Sequence, residues 1–86
     1  MNFTLHVARR AEKKSLRRIP PAHLRRIVAA LDAMQDDPLA GDVVKLKGTD
    51  AFRRRVGGYR IIFAIDVDHA AIGIIDVLRR TTTTYR

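Results

Sequence analysis

An α+β fold is the architecture this 86-residue chain predicts, with an N-terminal strand, a helical hairpin, and then a mostly antiparallel four-stranded sheet. Three observations carry that expectation. Apolar residues recur at helical spacing between residues 8 and 35, and from residue 43 the period drops to two. The apolar runs of the second half are separated by short Gly- and Asp-containing turns that suit hairpins. The length points to one domain over residues 1–86.

Phe3, Leu5 and Val7 alternate with Thr4 and His6, which predicts a short strand with one buried face. Over residues 8–18, Ala8, Ala11, Ser15, Leu16 and Ile19 fall on one helical face, and Arg9, Arg10, Lys13, Lys14, Arg17 and Arg18 mostly line the other. Pro20-Pro21 ends this helix and opens the next, because a residue before proline avoids the α region while proline is tolerated in a first turn. The second helix extends to about Gln35 on a stripe of Leu24, Ile27, Val28, Leu31 and Met34, and Asp36-Asp37-Pro38 closes it. Val44 and Leu46 then alternate with Lys45 and Lys47 up to Gly48. Phe52, Arg54 and Val56 share one parity, with Arg53 and Arg55 on the other. Gly57-Gly58 is a tight-turn signal, followed by the alternation of Tyr59, Ile61, Phe63 and Ile65. A turn at DVDHA leads into the last strand, AIGIIDVL.

Composition narrows the function classes. With 47% hydrophobic and 30% charged residues the chain is globular rather than disordered. It has no cysteine, so disulfides and thiolate metal sites are excluded, which fits a reducing cytosol. No apolar run approaches the roughly 20 residues of a membrane span, and MNFTLHVARR lacks the order of a signal peptide. The net charge of +8 is unevenly placed. Residues 1–30 carry eight Lys and Arg against Glu12 alone, residues 31–52 two lysines against five aspartates, and residues 53–86 seven arginines against three aspartates. Two basic lobes around an acidic stretch suit a polyanionic partner, nucleic acid being the commonest; a solvated basic surface is the plainer alternative.

Arg53 and Arg55 leave the same face of their strand, and the Gly57-Gly58 hairpin brings the next strand back beside them, so that Arg60 stands on that face as a near neighbour if the register permits. Parity places Arg80 with Ile74, Asp76 and Leu78, within reach of the same concavity if the last strand lies next to that of Arg60. Like charges side by side are unfavourable unless an anion or a carboxylate lies between them. Either a bound anion or pairing with Asp66, Asp68 and Asp76 would relieve them, and a charged edge strand is the structural alternative. Other constellations are missing. His6, His23 and His69 lie on different elements without ligand spacing, so no metal site is expected. Ser15, the only serine, falls within a helix's apolar face, and there is no Gly-rich phosphate loop.

The strand and helical hairpin, DDP, KLKG, FRRRVGGYRIIFAID and a terminal RR…Y resemble the RelE/ParE superfamily of bacterial toxins over nearly the whole chain, and its RelE branch in particular. The resemblance implies a RelE-like microbial RNase fold. It also implies the toxin of a type II toxin–antitoxin system: a ribosome-dependent mRNA endonuclease that inhibits translation in the cytoplasm and is held in check by a cognate antitoxin. It implies no cofactor, and operator DNA as a partner only through the antitoxin complex. By the same resemblance Arg60, in GYR, stands at the scissile phosphate, Arg80 is a second catalytic arginine, and Tyr85 stacks on or orients the substrate base. Arg53 and Arg55 occupy positions that are lysine in the best-known RelE enzymes. Lys45 and Lys47 would grip ribosomal RNA, with Arg54 and Arg79 as further RNA or ribosome contacts.

Arginine stays protonated, so neither Arg53 nor Arg55 is a natural general base. Two other readings therefore stand beside the nuclease: a ParE-like inhibitor of DNA gyrase, and a catalytically silent module that represses its own operon with an antitoxin.

Overall fold

Thr4–Val7 (β1) has its partner at the far end of the chain. The computed structural model describes residues 2–80, and in it β1 pairs in parallel with β5, Ala71–Arg79. Between them in sequence lie a first helical stretch, the helix α1 (Pro21–Asp36), and the strands β2 (Val43–Lys45), β3 (Phe52–Val56) and β4 (Tyr59–Asp66). The strand order is β1-β5-β4-β3-β2, antiparallel at every neighbour except β1 and β5. The α+β expectation holds, with one correction. The N-terminal strand is not separate from a four-stranded sheet; it is the fifth strand of one mixed sheet. The helical crossover carries the chain from one sheet edge to the other, so β1 meets β5 head to head rather than through a hairpin.

The first helical stretch covers the expected residues but is not a regular α-helix. It is π-helical over Ala11–Ser15 and 3₁₀ over Leu16–Arg18, and Ile19 before Pro20 is extended. It lies along β5: the Ala8 N–H donates to Ile74 O at 2.9 Å, and the Ser15 hydroxyl donates to the Asp76 carboxylate. Its Arg and Lys side chains are exposed, while Ala11 and Ile19 are buried.

Pro21 takes the first position of α1, where a missing N–H costs nothing. The helix buries Ile27, Ala30, Leu31 and Met34 on the sheet, leaving Val28 46% exposed. The stripe is therefore narrower than expected and rotated toward Ala30. The opposing face of the sheet supplies Tyr59, Ile61, Phe63, Ile72, Ile74 and Val77. Phe52 stacks on Phe63 across β3 and β4, ring centroids 5.6 Å apart, a contact worth about 0.5–1.5 kcal/mol beyond its burial.

Gly57 and Gly58 form the two-residue turn between β3 and β4, where Val56 faces Tyr59. Gly57 has φ +56°, and a Cβ there would meet the Arg26 guanidinium at 3.0 Å; Gly58 has open space. Gly57→Ala is thus expected to destabilise by about 1–3 kcal/mol, whereas Gly58→Ala should be near neutral. Thermal melting of the two variants checks this, and equal melting temperatures would contradict it.

Candidate functional site

The sheet has two faces, and the strand register assigns each arginine to one of them. Phe52, Arg54 and Val56 sit opposite Phe63, Ile61 and Tyr59 on the helix-covered face. Arg53 and Arg55 therefore stand on the open face, with Arg55 directly opposite Arg60. On the next strand, Arg60 faces Leu78 and Ile62 faces Asp76.

An irregularity in β5 completes the arrangement. The pairing steps from Ile62↔Asp76 to Phe63↔Ile74, so Ile75 is an extra residue. Ile74 and Val77 both point into the core, at 1% and 4% exposure, although they are three residues apart. Parity alone had grouped Ile74 with Arg80; the bulge separates them, leaving Asp76, Leu78 and Arg80 on the open side. Arg80 follows the strand at the β3–β4 turn, its N–H donating to Gly58 O at 2.7 Å and its Nη1 reaching Gly57 O at 3.5 Å.

The structure brings together Arg53, Arg55, Arg60 and Arg80, and their counter-charge is not the one expected. Among the described residues, Asp66, Asp68 and Asp76 make no ion pair with an arginine. The Asp76 carboxylate accepts from Ser15 and from the Val77 N–H. Asp66 bonds His69 in the β4–β5 turn, and that hydrogen bond holds its carboxyl below the ordinary value. Asp42, just before β2, does the pairing. It lies 3.1 Å from Arg53 Nη1 and 3.9 Å from Arg55 Nε, and its carbonyl accepts the Arg55 N–H at 3.0 Å. Its parity with Val44, opposite Arg53, is the signal that would have identified it once the β2–β3 register was known.

Asp42 serves only half the cluster. Among the described residues Arg60 and Arg80 have no carboxylate at ion-pair distance, and Arg60 Nε is buried without an acceptor. Arg55 and Arg60 thus form a like-charge pair across two strands, an arrangement that a bound anion relieves. Guanidinium forks suit phosphate oxygens, so the face can hold a phosphodiester and stabilise charge that builds on it. No histidine stands beside Arg60: His6 is on the same face by register but two strands away. Among the described residues, no three His, Asp or Glu side chains are grouped as metal ligands.

The remaining candidates lie elsewhere. Arg54 and Arg79 belong to the helix-covered side by register, opposite Ile61 and Tyr59 respectively. Lys45 ends β2, and with Lys47, Gly48 and Thr49 it lines an open hollow of about 580 Å³ beyond the arginine cluster. Tyr85 lies outside the described residues. Among the described residues, no helix is long and apolar enough to cross a membrane.

Comparison with known proteins places the fold. Residues 6–83 match the family model of the ParE toxin of type II toxin–antitoxin systems, parDE. No curated protein matches the chain. Among solved structures, the archaeal RelE–RelB complex of Pyrococcus horikoshii OT3 is similar at 29% identity and TM-score 0.85, covering 96% of this chain and 100% of that one. The toxin–antitoxin complex RelBE2 of Mycobacterium tuberculosis is similar at 26% identity and TM-score 0.79, covering 93% and 100%. The isolated RelE toxin of E. coli shares the fold at 19% identity and TM-score 0.80, covering 94% and 87%.

Proposed function

Because the chain belongs to the ParE toxin family of type II toxin–antitoxin systems, the open question is what the toxin attacks, and we propose that it cuts mRNA on the ribosome. The observation that carries this reading is the arginine face. Arg55 and Arg60 are directly opposed, Arg80 stands at the adjoining turn, and Arg60 lacks a counter-ion among the described residues. A phosphodiester is the anion such a face fits.

In this reading the substrate's own 2′-oxygen attacks the adjacent phosphorus. The new O2′–P bond forms as the P–O5′ bond breaks, the 2′-hydroxyl loses its proton, and the departing 5′-oxygen gains one. Arg60 and Arg80 hold the phosphoryl oxygens as charge develops, and Arg53 and Arg55 add to the field. Tyr85 is assigned to base stacking or proton handling. Because no described residue beside Arg60 is a free general base, positioning by the ribosome supplies part of the rate. The partners are then the ribosome with mRNA, gripped through Lys45 and Lys47, and an antitoxin like those seated on the related RelE chains. Such a toxin works in the cytoplasm and meets operator DNA only within the antitoxin complex.

A second reading, inhibition of DNA gyrase, draws on the family match itself. Adding the purified toxin to a cell-free translation reaction separates the two. Truncated mRNA with gyrase supercoiling unaffected is the expected result. Intact mRNA with gyrase inhibited would replace the nuclease by the gyrase reading.

A further inference from the structure

A second pair of arginines, Arg26 and Arg54, lies on the other side of the sheet, away from the chemistry assigned to the open face. Arg26 on α1 and Arg54 on β3 flank a cleft of about 440 Å³ whose walls include Ala29, Ala33 and Val56. The alanine side chains there are small, so the space between helix and strand is open rather than filled. The Arg54 guanidinium lies against Gly41, and that of Arg26 against Gly57; a Cβ at either glycine would come within 3.1 Å or less of the guanidinium. Both cations are thus held close to backbone. Arg54 Nη1 is buried with no hydrogen-bond partner, and neither arginine has a carboxylate at ion-pair distance among the described residues. A buried donor left unsatisfied is costly, and a charged one more so.

We propose that this cleft takes a carboxylate side chain from an acidic segment of the antitoxin, an inference that rests on the partner reading above. The chemistry selects the occupant. Two guanidiniums beside alanine and valine side chains suit one carboxylate carried on an apolar-backed peptide. Nucleic-acid backbone is held instead by extended rows of cationic contacts to successive phosphates. Arg55 also borders the cleft, but the cleft lies on the helix side of the sheet: Arg54 and Arg55 are neighbours in sequence and project from opposite sides of β3. Antitoxin anchored here would be held by residues that the cleavage reaction does not need.

The test measures affinity for the antitoxin encoded beside the toxin gene, by calorimetry on the full-length chains. Arg26→Met and Arg54→Met keep the aliphatic stems and remove the charges. Each is expected to weaken binding by about 10–100-fold. Arg18→Met, an exposed charge away from the cleft, should cost less than about threefold. Arg26 is on an exposed part of α1, so its variant remains informative even if Arg54→Met folds poorly. Losses no larger than that of Arg18→Met would overturn the proposal. So would unchanged antitoxin affinity with weakened ribosome binding, which would mark the cleft as a phosphate site. If the parent chain failed to bind this antitoxin at all, the partner reading would fall with it.

Discussion

Arg60→Ala is expected to lower mRNA cleavage by about 10²–10³-fold, the usual cost of removing one well-placed donor to a developing anion, and to abolish growth inhibition. The fold should survive. Arg60 faces Arg55 across the strand pair and Leu78 on the other side, and its Nε has no hydrogen bond to lose. Removing one member of a like-charge pair relieves repulsion, so the melting temperature should stay level or rise. Arg60→Lys keeps the charge but loses the planar fork, and should retain only part of the activity. Cleavage in a cell-free translation reaction, with circular dichroism melts of the same preparations, reads both quantities. A folded Arg60→Ala chain that cuts as well as the parent would remove Arg60 from the mechanism.

A single 2′-deoxy sugar at the cut position should stop cleavage there altogether. Of the described groups around Arg60 on the open face, guanidiniums are permanently protonated and Asp42 is engaged with two arginines. Asp76 is bound by Ser15 and the Val77 N–H. None is placed as a nucleophile, so the attacking oxygen is assigned to the substrate, and the product should end in a 2′,3′-cyclic phosphate. Ribosomes programmed with matched ribo- and deoxy-substituted messages provide the comparison. Normal cutting of the substituted message would rule out internal attack while leaving the arginine face a binding site.

Much of this was legible in the sequence because it follows from local rules. The period-two alternation of 52–66, with Gly57-Gly58 as its turn, is enough to put Arg53, Arg55 and Arg60 on one face, and the register bears that out. The helix from Pro21 to Asp36 follows from its apolar stripe and its flanking prolines. What escaped depends on pairings between distant segments. Nothing near β1 says that its partner is β5, some 67 residues away. Asp42 looks like one of several aspartates until the β2–β3 register sets it beside Arg53 and Arg55. The Arg26–Arg54 cleft needs helix and strand to be docked before it exists at all.

Ile75 has a different standing, for its importance lies in counting rather than contact. A strand transmits a strict two-beat rhythm, and β5 must obey two masters: Ile72 and Ile74 are timed to the core, while Arg80 is timed to the opposite surface. Without a dropped beat, the rhythm set by Ile74 would turn Asp76 inward and Val77 outward, and would send Arg80 to the side of the helices. The extra residue absorbs one beat, so the hydrophobic half and the charged half of the same strand keep independent time. Core and site can then change sequence separately so long as that one uncounted position stays between them.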